Sequence, residues 1–130
     1  MTIAYWCIFI AALLPYVWTT LGKSAATGEA YDNRDPRGWM ARQTHARVLR
    51  GNAAHLNAFE AFAPFAASVL MAQAAGVPDT RVSIAAIAFV VFRVLHGAFY
   101  LSDKHVLRSL SWALGFACVF ALMVGAALRV

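Results

Sequence analysis

The sequence predicts an all-α protein, an integral membrane bundle of four helices. Of its 130 residues, 62% are hydrophobic and only 13% are charged, whereas a soluble domain carries about a quarter charged residues. The apolar residues fall into four runs, each long enough to cross a hydrocarbon core of roughly 30 Å at ~1.5 Å per residue. The runs cover residues 1–22, 51–76, 82–102 and 105–128. A soluble buried bundle is the alternative, and four consecutive runs of this length argue against it.

The turn residues between the runs predict a single domain over residues 1–130. Gly, Asn, Asp and Pro favour turns in the connections, and Asp35-Pro36 is typical of a helix start. The second helix is predicted to be long because a polar, basic segment leads directly into its apolar run. The predicted helices cover about 2–21, 37–75, 80–101 and 106–128.

The first apolar run is predicted to be a retained membrane helix, with a cleaved signal peptide as the alternative. No basic residue precedes the run, and Pro15 and Tyr16 interrupt it without a small-residue cleavage pattern. Cys7 and Cys118 both lie in apolar runs with no metal-ligand spacing. They are interpreted as small buried hydrophobic residues, so no disulfide and no metal site is predicted.

Basic residues indicate which connections face the cytoplasm. Lys104 and Arg108 lie between the third and fourth runs, whereas the link between the second and third carries only Arg81, with Asp79 beside it. Because positive residues concentrate in cytoplasmic loops, both termini of this multi-pass protein should face away from the cytoplasm, across the cell inner (plasma) membrane. The same distribution explains the net charge of +5, so no nucleic acid partner is predicted. The first connection carries Lys23, Arg34, Arg37, Arg42, Arg47 and Arg50.

Ionisable side chains within or at the edges of the apolar runs are the candidate functional residues. A charged residue at the centre of a membrane helix costs about 2.5–3.5 kcal/mol on insertion scales, and it usually faces the bundle interior or a cavity. Plain ion pairs between helices, such as Arg50–Glu60 or Arg93–Glu60, are the alternative. Three arginines against one carboxylate leave surplus positive charge, which favours an anionic ligand such as lipid phosphate or a small carboxylate. The candidates are Arg50, His55, Glu60, Arg93, His96 and Arg108.

Helical spacing predicts a polar stripe on the second helix. Gln43, Arg50 and Asn57 are seven residues apart, so they share one face, and Glu60 borders it. His55 projects roughly 160° away from Asn57 at ~100° per residue. It is therefore interpreted first as a packing or interfacial histidine.

A second polar stripe is predicted on the third helix. Arg93, His96 and Tyr100 are spaced by three and four residues, and Arg108 follows across a short turn. The two stripes are expected to converge at the cytoplasmic level of the bundle.

Three segments share the spacing of a known family signature. In RGNAAHLNAFE, residues 50–60, an arginine stands seven before an asparagine and a glutamate three after it. In RVLHGAFYL, residues 93–101, an arginine stands seven before a tyrosine, and LRSLSWALG, residues 107–115, opens the fourth helix with an arginine. Together they resemble the signature of the MAPEG family of membrane-associated proteins in eicosanoid and glutathione metabolism, and their sequence is most similar to the bacterial branch. The resemblance runs from about residue 37 to the C-terminus, and the first helix agrees only in length and hydrophobicity.

The resemblance implies a fold, a substrate and an assembly. Family members are four-helix membrane proteins that form homotrimers and bind glutathione between subunits near the cytoplasmic face. The implied function is a glutathione-dependent transferase or peroxidase acting on lipophilic electrophiles dissolved in the bilayer, with a role in detoxification. Glutathione is then a co-substrate, with another small thiol as an alternative, and membrane lipid is a further partner.

The resemblance also implies residue roles. Arg108 matches the arginine that stabilises the glutathione thiolate, and Tyr100 is grouped with it as catalytic. Arginines suit the two glutathione carboxylates and Glu60 suits its ammonium, while a nearby arginine lowers the thiol pKa from about 8.5. His96 and Gln43 are possible pocket residues. The implied glutathione-binding residues are Arg50, Asn57, Glu60, Arg93 and Tyr100.

Two positions depart from the family pattern. Ala53 stands where many members carry a second arginine, and Ala61 follows the glutamate where an aromatic or amide is common. The missing cation favours a second interpretation, a catalytically silent MAPEG-fold protein that binds lipid or a partner. A small transporter is a third, although the polar residues cluster towards one membrane face instead of spanning it.

Overall fold

The computed structural model describes residues 2–129, apart from the side chain of Thr2, and all regular secondary structure in that range is helical. This confirms the predicted all-α class. The turns after the third and fourth helices are short, so the helices they join run antiparallel. The five helices are α1 (Thr2–Lys23), α2 (Pro36–Ala41), α3 (Ala46–Ala74), α4 (Asp79–Leu101) and α5 (His105–Ala127).

The segment predicted as one helix over 37–75 is divided in the structure into α2 and α3. The carboxylate of Asp35 caps α2 by accepting a hydrogen bond from the backbone N–H of Gly38 at 3.0 Å. A second cap then starts α3, where His45 Nδ1 accepts from the backbone N–H of Arg47 at 3.3 Å. The extended backbone of His45 (φ −68°, ψ 121°) interrupts the helical path. Local side-chain caps therefore compete with a continuous helix here.

Within residues 2–129, three helices are long and apolar enough to cross a membrane, and they span Ile3–Lys23, Asp79–Leu101 and His105–Ala127. The longest helix, α3, has 29 residues but is more polar, because it carries Arg47, Arg50 and Glu60. Large apolar side chains cover the outside of the bundle, with Ile84 64% and Phe120 63% exposed. Such an extensive apolar exterior is typical of a protein that faces lipid.

The main apolar core lies in the half of the bundle nearer the α3–α4 turn. It draws side chains from α1, α3, α4 and α5, and at its centre the rings of Phe65 and Phe89 stack with centroids 3.8 Å apart. A smaller cluster packs Leu14 and Trp18 of α1 against Ala54 of α3, nearer the α4–α5 turn. The polar residues of interest lie around this second cluster.

Two glycines let the backbones of α1 and α3 meet. A Cβ atom at Gly51 would lie 2.5 Å from the Cα atom of Gly22, and one at Gly22 would lie 2.8 Å from the Cα atom of Gly51. Small residues permit this kind of approach between membrane helices. The contact holds α3 against the end of α1 at Gly51, the residue that follows Arg50.

Candidate functional site

Asn57 lies between a cation on α4 and a carboxylate on its own helix. Arg93 is only 4% exposed, and its Nη2 donates to Asn57 Oδ1 at 2.8 Å. Asn57 Nδ2 donates in turn to Glu60 Oε2 at 3.5 Å. A buried guanidinium needs acceptors because it has lost its hydration. The amide supplies one and leaves the exposed carboxylate of Glu60 accessible.

His96, Tyr100 and Arg108 form a compact group at the α4–α5 junction. His96 is 3% exposed, and its Nδ1 donates to the backbone carbonyl of Arg108 at 3.1 Å. The His96 ring packs edge-to-face on Tyr100 with centroids 5.6 Å apart. The Arg108 guanidinium carbon lies 4.5 Å from the centroid of the Tyr100 ring, a cation–π contact. The group holds a guanidinium against an aromatic face at the start of α5.

Arg50 pairs with a carboxylate that the sequence analysis did not single out. Its Nη2 lies 3.0 Å from Asp103 Oδ2, in the turn between α4 and α5. Asp103 has a positive φ of 59°, a conformation that Asp and Asn tolerate better than most residues. The only sequence feature that could have indicated Asp103 is its place in the short turn between α4 and α5. Because a turn residue lies outside the helical repeat, helical spacing could not predict that it faces α3. The expected alternative, an ion pair of Glu60 with Arg50 or Arg93, is not formed within residues 2–129.

The charges of this surface do not cancel. Of the three arginines at positions 50, 93 and 108, only Arg50 has a carboxylate within ion-pair distance among residues 2–129. Arg93 is satisfied by a neutral amide, and Arg108 lies on an aromatic ring. Arg108, half-buried and without a carboxylate at ion-pair distance among residues 2–129, suits a ligand that brings its own carboxylate, or a thiol that ionises beside a cation.

A second polar surface lies on the other side of α3. A cavity of about 350 Å³ opens between α1, α2 and α3, with positive charge from Lys23 and Arg37. His55 faces this side, and its Nδ1 donates to the backbone carbonyl of Pro15 in α1 at 2.8 Å. This contact agrees with the packing interpretation of His55, which also lines the cavity. The lining residues are Thr19, Lys23, Pro36, Arg37, Met40, Asn52, His55 and Leu56.

The structure groups most of the predicted site residues and separates two of them, Arg50 and Gln43. Arg50 lies two turns from Asn57, about 10 Å along α3. Gln43 lies in the connection between α2 and α3, where its side chain donates to the backbone carbonyl of Trp39 at 3.3 Å. It shares no helical stripe with Arg50, because the helix is interrupted between them. The residues brought together on α3, α4 and α5 are Asn57, Glu60, Arg93, His96, Tyr100 and Arg108.

Comparison with known protein families decides the relationship. The family model described as MAPEG family matches residues 3–128. The chain belongs to the MAPEG family. The match takes in α1, for which the sequence resemblance offered only length and hydrophobicity. No curated protein and no solved structure gives a match. With its three apolar helices, this MAPEG chain is a helical membrane protein.

Proposed function

We propose that this MAPEG protein is an integral membrane glutathione transferase or peroxidase that acts on lipophilic electrophiles. The observation that carries the proposal is Arg108, a guanidinium held on the ring of Tyr100 and half-buried without a carboxylate partner in the described chain. A cation beside a bound thiol lowers the thiol pKa and populates the nucleophilic thiolate. Glutathione transferases and peroxidases occur within the family, which supports this choice.

The charged groups around Arg108 complement glutathione. Arg50 is available to a carboxylate because its partner Asp103 is 68% exposed, and ion pairs that water reaches contribute about 1 kcal/mol or less. Glu60 suits the ammonium group of the γ-glutamyl residue. Asn57, oriented by Arg93, offers an amide to the peptide.

The chemistry follows from the thiolate. With a carbon electrophile, the sulfur forms a C–S bond as the leaving group departs or as an activated double bond accepts the electron pair and then a proton. With a hydroperoxide, the sulfur attacks the terminal oxygen and forms an S–O bond, giving the sulfenic acid of glutathione, while the O–O bond breaks and the alkoxide takes up a proton and leaves as an alcohol. The thiol of a second glutathione then attacks the sulfenic sulfur, which forms the disulfide and releases water. Both lipophilic substrates reach the site from the bilayer.

We also propose four membrane spans and a homotrimer with the site between subunits. At ~1.5 Å per residue the 29 residues of α3 extend about 43 Å, enough to cross a core of roughly 30 Å with its polar first turns among the headgroups. In a cyclic trimer two different surfaces of neighbouring copies meet. The cavity bearing Lys23 and Arg37 would then face the Arg108 surface of the next subunit, adding cations where Ala53 supplies none.

Orientation follows from the same basic residues. Lys23, Arg37 and Lys104 lie in or beside the connections at the end of the bundle that carries the site. By the positive-inside rule this end is cytoplasmic, so both termini of the inner-membrane protein face away from the cytoplasm. Water-soluble glutathione would enter from the cytoplasm.

Ultraviolet difference spectroscopy of thiolate formation tests the proposal. Glutathione is titrated at neutral pH, well into the millimolar range, into detergent-purified protein and into its Arg108→Ala variant. Arg81→Ala, at the other end of α4, is the matched control for loss of an arginine. The expected result is a saturable thiolate signal in wild type and Arg81→Ala that Arg108→Ala abolishes. No signal from folded wild-type protein contradicts the glutathione enzyme.

A catalytically silent, lipid-binding protein is the second candidate, and the alanine at position 53 is the observation that favours it. With one cation fewer than many family members, the site then holds the phosphate or carboxylate of a lipid headgroup, which needs fewer contacts than glutathione. Mass spectrometry of the protein extracted in mild detergent identifies this case by a co-purifying lipid. The lipid would be lost in the Arg108→Ala variant and retained in Arg81→Ala.

A further inference from the structure

We propose that His96 is a positioning residue for Arg108, so that thiolate formation depends on a histidine that does not touch the thiol. The inference rests on the proposed function, because it concerns how the thiolate-stabilising cation is held. It is carried by two contacts that connect His96 to both ends of Arg108.

The first contact is with the main chain of Arg108. His96 lies on α4, and its Nδ1 donates across the α4–α5 junction to the Arg108 carbonyl at 3.1 Å. Because a carbonyl can only accept, the imidazole proton on this side is assigned to Nδ1. This hydrogen bond ties the first turn of α5 to α4 at the residue whose side chain carries the charge.

The second contact reaches the side chain of Arg108 through a tyrosine. His96 packs edge-to-face on Tyr100, one helical turn further along α4, with an interplanar angle of 75°. The same ring also contacts the guanidinium of Arg108, whose carbon lies 4.5 Å from the ring centroid. His96, Tyr100 and Arg108 therefore form a closed loop of contacts in which the histidine sets both the backbone and the ring on which the cation lies.

The other ring nitrogen of His96, Nε2, is not needed to position Arg108. Nε2 is buried and has no hydrogen-bond partner in the described part of the chain. Burial of His96 to 3% exposure keeps that nitrogen away from a ligand. The donor at the δ position is thus the atom that matters. Since the Asn side-chain amide lies at the same distance from the backbone as Nδ1, His96→Asn retains a donor that His96→Phe lacks.

The experiment measures the pH midpoint of glutathione thiolate formation on wild type, His96→Phe and His96→Asn. We expect His96→Phe to raise the midpoint by about half a unit to one unit, since the stabilising cation is displaced but not removed. His96→Asn, which keeps the donor but loses the ring contact with Tyr100, should raise the midpoint by less than His96→Phe, which keeps a ring but loses the donor. At a pH well below the midpoint, where glutathione binds as the thiol, its concentration at half-saturation should stay within about twofold in both variants, because Arg50, Asn57 and Glu60 lie on α3 and keep their contacts.

A matched control separates positioning from a general loss of packing. Ser68→Ala removes a buried hydroxyl that donates to the carbonyl of Phe65 in the core half of α3. It should alter stability without moving the thiolate midpoint. If His96→Phe aggregates, His96→Gln takes its place, because its amide lies one bond too far out to replace Nδ1, and the same upward shift is expected.

The experiment distinguishes failure of this inference from failure of the proposed function. Absence of thiolate on wild-type protein removes the proposed function and this inference with it. A wild-type midpoint in folded His96→Phe, while Arg108→Ala abolishes the signal, overturns the inference alone. A shift in His96→Asn as large as that in His96→Phe also overturns it, since the hydrogen bond to Arg108 would then not be the cause.

Discussion

Replacing Gly51 with alanine should separate α1 from α3. The new Cβ atom would lie 2.5 Å from the Cα atom of Gly22 and 3.0 Å from the carbonyl oxygen of Trp18. Carbon atoms in contact need about 3.5–4.0 Å, so the two backbones must part by about 1–1.5 Å. Neither obstacle is a flexible side chain that can rotate away. Overpacking of this kind costs about 1–3 kcal/mol.

A control variant at a second glycine separates the effect of this clash from the gain in helix propensity. Gly125 lies in α5 with nothing within 4 Å of a Cβ atom, so Gly125→Ala gains the roughly 1 kcal/mol of helix propensity without a clash. We expect Gly51→Ala to unfold at a lower temperature than Gly125→Ala in the same detergent. A difference of about 2 kcal/mol corresponds to roughly 5–10 °C in Tm for a chain of this size. Equal Tm values for the two variants would refute the reasoning.

Three further predictions concern single polar contacts. Asn57→Leu leaves the buried Arg93 guanidinium without its acceptor and should lower the free energy of unfolding by about 1.5–3 kcal/mol, measured by thermal unfolding. The control Asn52→Leu, about 140° around α3 from Asn57, should cost less. Equal losses would show that Asn57 is not the stabilising acceptor of Arg93. Asp103→Asn keeps a residue that tolerates positive φ but removes the ion pair with Arg50, so the free energy of unfolding should change by less than about 1 kcal/mol. Because Arg50 is then free to bind a carboxylate, a glutathione titration should show binding that is tighter by up to about fivefold. Weaker binding would show that Asp103 supports the site. In the exposed first connection, hydrogen bonds from Arg34 hold the pKa of Asp32 below its usual 3.8, so Arg34→Ala should raise the Asp32 titration midpoint measured by NMR. Because folding lowers the pKa of Asp32, its contact with Arg34 stabilises the connection fully above pH 3.8, and this stabilisation is lost as the pH falls through the lowered pKa.

The sequence predicted the apolar helices well because each is bounded by residues that locally end a helix. The expected ends of α1, α4 and α5 differ from the observed ones by at most two residues. At the end of α3, for example, Gly76 adopts a positive φ of 71°, which stops the helix independently of its neighbours. Periodicity likewise placed Asn57 and Glu60 on one face, since both lie within a single uninterrupted helix.

The sequence could not predict features that depend on a competing local contact or on a partner distant in the chain. The interruption between α2 and α3 arises at His45, whose backbone is extended and whose side chain caps α3, and the polar residues on either side of it fit a continuous helix equally well. Gln43 was placed on the α3 stripe for that reason. The pairing of Arg50 with Asp103 depends on how the α4–α5 turn meets α3, 53 residues away in sequence.

The interruption before α3 also decides which residues surround the cavity beside Lys23. A continuous helix would have pointed α2 along the axis of α3. Instead, Arg37 and Met40 of α2 line the cavity together with Lys23 of α1. Arg42, directly after α2, pairs with Glu29 of the first connection at 2.9 Å in an exposed ion pair. Since exposed ion pairs weaken as ionic strength rises, this link between α2 and the first connection should loosen in concentrated salt.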